Sequence, residues 1–272
     1  MSQKNQKLSN KSPLRYPGGK SRACKIIENV CLEYMPFFKN YECVVSPFFG
    51  GGSFEFYLQN KYGFDIIAND KFTPLYNFWK SCKENNDELC TKLAKNLNNI
   101  DKEIFHKLRE CIMDQEGVEQ AISYFIINRC SFSGATLSGG FSQESSTKRF
   151  TKSSIERVEK LNLKKFRMEN LDFEEFLQNE AKDDNNKKLI FLDPPYFLEK
   201  KSTLYGNNGD LHEHFNHEKL FKSISGMKNW ILTYNNCEYI KNLYKNHVII
   251  EVDWSYSMNK SKESSEIIIL SN

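Results

Sequence analysis

The sequence predicts an α/β fold: an open, doubly wound sheet interrupted by a helical insert. Three observations carry that reading. Short apolar runs (Val44-Val45, Ile66-Ile67-Ala68 and Leu189-Ile190-Phe191-Leu192) each stop at turn or acidic residues. That is how parallel strands buried on both faces read. A glycine-rich turn, Pro47-Phe48-Phe49-Gly50-Gly51-Gly52-Ser53, separates the first run from a helical pattern, the order found where doubly wound folds cradle a nucleotide. Residues 73–165 then change character, with polar side chains frequent and apolar ones recurring at a helical period, so helices interrupt the α/β alternation there.

Residues 1–12 are polar and are expected to be disordered. Pro13 to Ser21 contains Tyr16-Pro17-Gly18-Gly19-Lys20, which forces a turn. Ala23, Ile26, Ile27, Val30, Cys31 and Tyr34 follow at helical spacing. A Gly-Gly turn opening a helix presents backbone N–H groups to an anion such as a carboxylate, and Lys20 adds charge there. The leading Gly-x4 of a phosphate-binding P-loop is missing. Cys43-Val44-Val45 reads as the first strand, and Phe54 to Asn60 as a helix capped by Ser53. Glycines such as Gly50 and Gly52, beside Phe49, let a ligand press against backbone. Phe64 to Asp70 reads as a second strand ending in a carboxylate. Asp70 lies about twenty residues past the glycines, where an acid takes a ribose hydroxyl. No GxGxxG is present, which favours a mononucleoside over a dinucleotide.

Phe105, Leu108, Ile112, Val118, Ile122, Phe125 and Ile126 mark the insert, for which three or four helices are expected. At its centre, Ile127 to Ser142 is rich in serine and glycine and reads as a loop. Asn128, Arg129, Ser131, Phe132 and Ser133, with Lys148 and Arg149 beyond, suit phosphate oxygens and base edges. An ordinary flexible surface loop is the alternative. Lys165 to Met168 reads as a strand, followed by Asn170-Leu171-Asp172-Phe173 and a short acidic helix; residues 181–188 read as a charged loop.

The next strand ends in Asp193-Pro194-Pro195-Tyr196. Open sheets place ligands at such carboxyl ends. Each proline stiffens the turn and removes a donor while keeping its carbonyl. The result is one carboxylate, free carbonyls and an exposed ring, with no basic group. An aromatic amine is a poor nucleophile because its lone pair is delocalised into its ring. Two acceptors, the Asp193 carboxylate and the Pro194 carbonyl, hold its two N–H groups and localise that pair, while Tyr196 stacks on the flat base. A strand with a plain Pro-Pro turn is the alternative. Residues 199–216 form a long polar stretch of the length seen in lids and substrate loops. His212, His214 and His217 match no zinc spacing, so no metal is expected. The closing strands Trp230 to Tyr234, Val248 to Val252 and Glu266 to Leu270 are expected to finish as an antiparallel edge.

The 272 residues fit one large or two modest domains, and a net charge of +3 leaves any polyanion to a local basic patch. The 8 cysteines lack CxxC spacing and read as reduced thiols, which with no secretory signal and no apolar run of about 18 residues implies a cytoplasmic protein.

Taken in order, these residues resemble the Dam-like, D12 class of DNA adenine-N6 methyltransferases. The likeness covers nearly the whole chain. It rests on Tyr16-Pro17-Gly18-Gly19-Lys20, the glycine loop 47–53, Asn69-Asp70 and Asp193-Pro194-Pro195-Tyr196. Tyr205-Gly206, Phe215, Tyr234-Asn235 and Glu266-Ile267-Ile268-Ile269 add to it. The resemblance implies a Rossmann-like S-adenosylmethionine-dependent methyltransferase sheet in residues 1–72 and 160–272, with a helical target-recognition insert in 73–159. It implies S-adenosyl-L-methionine as cofactor and places it against Tyr16, Gly18, Gly19, Lys20, Phe49, Gly50, Gly52, Asp70, Asp172, Phe173 and Asp193. Asp193, Pro194, Pro195 and Tyr196 are the implied catalytic residues, and double-stranded DNA is the implied partner, in some settings beside a cognate restriction endonuclease. Two departures stand out. Many members carry Glu before the Pro-Phe of the glycine loop, where this chain has Ser46. The central loop also lacks the Asn-Gly and basic hairpin of GATC-reading members. A methyltransferase of the same cofactor fold acting on RNA or on a protein glutamine amide is the rival reading. A non-catalytic nucleic-acid binder would be expected to lose Asp193 or the glycine loop, and both are intact.

Overall fold

The structure, a computed structural model, describes residues 9–16, 18–181, 187–197, 215–254 and 264–271. Strands β1 (Cys43–Ser46), β2 (Asp65–Asn69), β3 (Phe166–Glu169), β4 (Lys188–Leu192), β5 (Trp230–Asn235), β6 (Val248–Trp254) and β7 (Ser264–Leu270) form one sheet. Its order is β3-β2-β1-β4-β5-β7-β6. The pairs among β1 to β5 are parallel, and β7 runs antiparallel to both its neighbours. The chain winds outward from β1 through β2 to β3 and resumes on the other side at β4. β1 and β4 are paired, Val44 opposite Leu189 and Val45 opposite Ile190. That reversal of winding is where sheets of this type open a ligand crevice.

The closing strands finish as the expected antiparallel edge, with the last strand in sequence inside it. β7 lies between β5 and β6, because Ile267-Ile268-Ile269 is wholly buried and needs cover on both faces. β6 takes the edge instead, with Val248 39% exposed.

Helix α1 (Cys24–Tyr34) follows a short 3-10 turn at Lys20–Arg22, and α2 (Ser53–Tyr62) follows the glycine loop. The cap of α2 is Gly52, at φ 64°, rather than Ser53. The insert holds six α-helices where three or four were expected: α3 (Thr73–Glu84), α4 (Asn86–Lys95), α5 (Lys102–Cys111), α6 (Gly117–Cys130), α7 (Gln143–Lys148) and α8 (Lys152–Glu159). A single residue, Asn85, divides α3 from α4, and α7 is too short and polar to show a period. Ile127 to Cys130, read as loop, is the last turn of α6. Residues 120–130 of that helix are all buried, so tertiary packing overrides the weak local preference of Asn and Ser. The true loop starts at Ser131, which bridges to Phe141.

The insert and the sheet share one continuous apolar core. Phe78, Trp79 and Phe125 belong to the same cluster as Val44, Phe49 and Ile66. Phe78 stacks on Phe125 at 5.5 Å. After β3 the elements are α9 (Phe173–Ala181), α10 (His217–Ile224) and α11 (Glu238–Leu243). Asn10 is fixed rather than loose. Its Nδ2 donates to Gln59 Oε1 at 2.7 Å and to the Asn162 carbonyl at 2.8 Å. Among the described residues no helix is long and apolar enough to cross a membrane. Tyr205-Gly206, His212 and His214 lie outside the described residues.

Candidate active site

The loops leaving the carboxyl ends of β1, β2 and β4 surround a cavity of about 600 Å³. Asn69, the last residue of β2, ties its own loop to those leaving β1 and β3. Its Nδ2 donates to the Pro47 and Leu171 carbonyls, both at 3.1 Å, and its Oδ1 accepts from the Leu171 amide at 2.9 Å. Three strand-end loops are thereby tied at one fully buried side chain. From the insert, Trp79 Nε1 donates to the Gly50 carbonyl at 3.0 Å and anchors the glycine loop.

The glycines answer to the protein's own rings. At Gly50, φ +50°, an added Cβ would stand 2.9 Å from the Tyr16 ring; at Gly52, φ +64°, it would meet Phe49 at 2.3 Å. Tyr16 therefore lies flat against the loop and lines the cavity. Phe49 also borders the cavity, but its ring packs on Trp79 at 5.2 Å and Phe166 at 5.3 Å. It is 3% exposed and supports the loop from below. The first turn is closed on itself, since the Gly19 amide donates to the Tyr16 carbonyl at 3.0 Å. That amide is therefore spent inside the turn, where the sequence suggested an anion site.

Asp193 stands at the tip of β4 between two partners. Lys20 Nζ lies 2.7 Å from Oδ1 and 2.9 Å from Oδ2. Thr233 Oγ1, from β5, donates to Oδ1 at 2.7 Å. The Lys20 side chain is 3% exposed and that of Asp193 21%, on the cavity. The first glycine turn and the acidic tip, 173 positions apart in sequence, thus meet at one ion pair. A carboxylate offers about four acceptor sites; Lys20 and Thr233 fill three. Among the described residues no donor reaches the Pro194 carbonyl. The Tyr196 hydroxyl donates to the Glu266 carboxylate of β7, and Lys20 Nζ sits 4.9 Å from the Tyr196 ring centroid. Asn235 Nδ2 holds the Phe197 carbonyl at 2.9 Å and fixes the turn beyond Tyr196.

Asp70 borders the cavity and accepts two backbone amides, Gly50 at Oδ2 and Phe72 at Oδ1, both at 3.0 Å. Enclosure by protein pushes its carboxyl up to about 6, against the pull of those two amides. Asp172 and Phe173 line the same cavity. Burial raises the Asp172 carboxyl, but Lys71 at 2.9 Å and the Glu174 amide outweigh it and hold it below the usual carboxylate value. Phe173 lies 5.5 Å from Phe48 and 5.4 Å from Phe215, and Phe48 lies 5.5 Å from Phe215. These three rings form an apolar wall opposite the charged floor. His217 places Nδ1 2.7 Å from the Tyr234 hydroxyl and packs edge-on to Phe197 and Phe215.

The residues expected to read DNA divide in two. Asn128, Arg129 and Ser131 turn inward, at 0%, 6% and 0% exposure. Asn128 brackets Arg15, accepting its amide at 2.9 Å and donating to its carbonyl at 2.7 Å. Arg129 donates to the Arg149 and Pro13 carbonyls, and Ser131 donates to the Asn128 carbonyl. They form a clamp that docks the N-terminal segment on the insert. Phe132 is 68% exposed, Ser133 sits at φ 56°, and Lys148 and Arg149 are at the surface. Burial first, then Arg15, Arg157 and Arg149, lowers the Arg129 guanidinium to about 10. Arg129 is thus buried close to three other arginines.

Sequence reasoning did not single out Trp79, Thr233, Glu266 or Asn69 as an anchor. Each acts through a partner far along the chain, and even in the runs that contain Asn69 and Glu266 that partner is not legible. Glu55, on the first turn of α2, was also passed over; it lines the cavity at 2% exposure.

A mostly parallel sheet with this crevice and one antiparallel strand, a glycine loop after β1 and acids after β2 and β4 fits a methyltransferase-type enzyme. The family described as D12 class N6 adenine-specific DNA methyltransferase matches residues 16–258, and the chain belongs to it. No curated protein matches the chain. By family the chain is an enzyme that methylates N6 of adenine in DNA and uses S-adenosylmethionine. The residues present fit that cofactor. The cavity has the volume of small-molecule sites, roughly 300–1,000 Å³, with an aromatic wall for a purine and two acids on its floor for a molecule of net positive charge.

Proposed function

We propose that the chain methylates adenine flipped out of double-stranded DNA, with the Asp193 tip gripping the exocyclic nitrogen. The observation that carries this is the Lys20–Asp193–Thr233 arrangement at the end of β4, beside the glycine loop. Bound S-adenosylmethionine supplies a methyl group made electrophilic by its sulfonium charge. The chain's residues position and desolvate. Asp193 has about one acceptor site left after Lys20 and Thr233, and it takes one N6–H; the Pro194 carbonyl takes the other. The lone pair is then held on nitrogen. As the nitrogen–methyl bond forms, the sulfur–methyl bond breaks, and the nitrogen's surplus proton leaves along the Asp193 hydrogen bond to water. Tyr196, fixed by Glu266, stacks on the base, and such a stack contributes roughly 1–3 kcal/mol toward the cost of unstacking.

Tyr16 and Asp70 are assigned to the cofactor's nucleoside, Asp70 to its ribose hydroxyls, and the Phe48–Phe173–Phe215 wall with Asp172 to its adenine. Residues 73–159 are assigned to target recognition, with the exposed Phe132, Lys148 and Arg149 and the half-buried Ser133 as the set toward DNA. Any restriction endonuclease paired with the chain would share its site. Transfer of labelled methyl from S-adenosylmethionine to duplex DNA, single-stranded RNA and a glutamine peptide tests the substrate. Duplex DNA alone should be labelled, on N6 of adenine. 2-Aminopurine at the target position should brighten on binding; a substrate that is labelled without brightening contradicts flipping.

A further inference from the structure

We propose that Glu55 receives the α-ammonium group of S-adenosylmethionine, supplying from helix α2 the negative charge that Ser46 does not. The inference rests on the seating of the cofactor proposed above. Glu55 is 2% exposed, borders the cavity, and has one side-chain partner, the Ser46 hydroxyl, which donates to Oε1 at 2.6 Å. Among the described residues no Lys, Arg or His forms an ion pair with it. A carboxylate enclosed in protein without a cation is costly, yet this one faces the crevice where a positively charged ligand enters. A serine hydroxyl at residue 46 cannot neutralise an ammonium, but it can orient a carboxylate that does. The Ser46–Glu55 pair thus places an acid on the cavity from the first turn of α2.

Glu55 also makes binding sense pH. Burial, more than any other cause, raises its carboxyl to about 7; the Ser46 hydroxyl and its own amide oppose this, Asp193 adds to it and Lys20 reduces it. From α1 the neighbour is Cys24, whose thiol burial and then Glu55 push up to about 12, so it stays neutral. The ligand-free protein is therefore about half protonated at Glu55 near pH 7. An ammonium binds the ionised form, so binding releases about half a proton at that pH.

Calorimetric titration of the full chain in buffers of different ionisation enthalpy tests this. S-adenosylhomocysteine carries the amino-acid tail, and 5′-methylthioadenosine lacks it. Wild type should release about half a proton at pH 7 with the former and none at this site with the latter. Glu55→Gln should weaken S-adenosylhomocysteine roughly 10–100-fold, as for a lost charge-assisted hydrogen bond. It should abolish the release and leave 5′-methylthioadenosine affinity unchanged, which also shows the variant is folded. Unchanged S-adenosylhomocysteine binding, a persisting proton release, or an equal loss for both ligands overturns the proposal. Asp70→Asn tests the seating separately. If it leaves both ligands untouched while Glu55→Gln behaves as stated, the nucleoside assignment falls and the Glu55 assignment stands.

Discussion

Replacing Lys20 with methionine removes the cation that holds Asp193 while keeping most of the volume. At 2.7 Å the Coulomb attraction is about 6 kcal/mol at an effective dielectric constant near 20. Most of that is consumed by taking the ammonium out of water. Breaking a fully buried pair costs about 3–5 kcal/mol. Here Asp193 is 21% exposed and keeps Thr233, so water recovers part of the loss and we expect about 2–3 kcal/mol. For a chain of this size that lowers the melting temperature by about 4–5 °C. The effect on chemistry is larger than the effect on folding. Without Lys20 the carboxylate is free to turn, and misplacing a reacting group by an ångström costs about 100-fold. The single-turnover rate should fall by about that factor, with DNA affinity unchanged. A double-mutant cycle with Asp193→Asn, read by urea denaturation, should show coupling of about 1–3 kcal/mol. Additive effects, or a Lys20→Met enzyme of normal rate, would refute the view that this ion pair sets the site.

Other expectations follow from the same geometry. Gly52→Ala forces a side chain at φ 64° to within 2.3 Å of Phe49, and denaturation should show a loss of about 2–4 kcal/mol. Phe132→Ala, at an exposed ring, should weaken duplex binding in fluorescence anisotropy without lowering stability. Asn128→Ala should do the reverse, since it frees the Arg15 backbone from its clamp. The raised Glu55 carboxyl gives a sign for stability. Its folded value, about 7, exceeds the ordinary 4.5, so the ligand-free protein binds the proton more tightly folded than unfolded. This contribution is full below about pH 4.5 and is lost as pH rises to about 7. Glu55→Gln should flatten that part of the profile and, at pH 8, be more stable than wild type by up to about 3 kcal/mol. A wild-type-minus-variant difference that stays constant from pH 4.5 to 8 would contradict it.

The parts of the fold that repeat a local rule were legible in the sequence. Val44-Val45, Ile66-Ile67 and Leu189 to Leu192 announce buried parallel strands because both faces demand apolar residues, and each ends at the crevice. Asp70 and Asp193 were legible because a strand must release its chain there. The position of β7 was not, since an isoleucine run fits a central strand of either direction. The six short helices of the insert were blurred because α6 is apolar nearly all round and α7 is six residues of mainly polar character. Side-chain direction was the harder loss. Asn128, Arg129 and Ser131 have the composition of a DNA-reading loop, yet the last turn of α6 and the bridge to Phe141 aim them at Arg15 and Pro13. Gly50 and Gly52, read as room for a ligand, border the cavity and also make room for Tyr16 and Phe49. The Lys20–Asp193 pair crosses nearly two-thirds of the chain, and no local pattern could reveal it.

The most direct test is single-turnover methylation by Asp193→Ala on prebound duplex DNA with S-adenosylmethionine in excess. N6-methyladenine should fall below detection while affinity for both DNA and S-adenosylhomocysteine stays within a few-fold of wild type. Near-normal methyl transfer by that variant would mean that the acceptor at the tip of β4 is not what holds the adenine nitrogen.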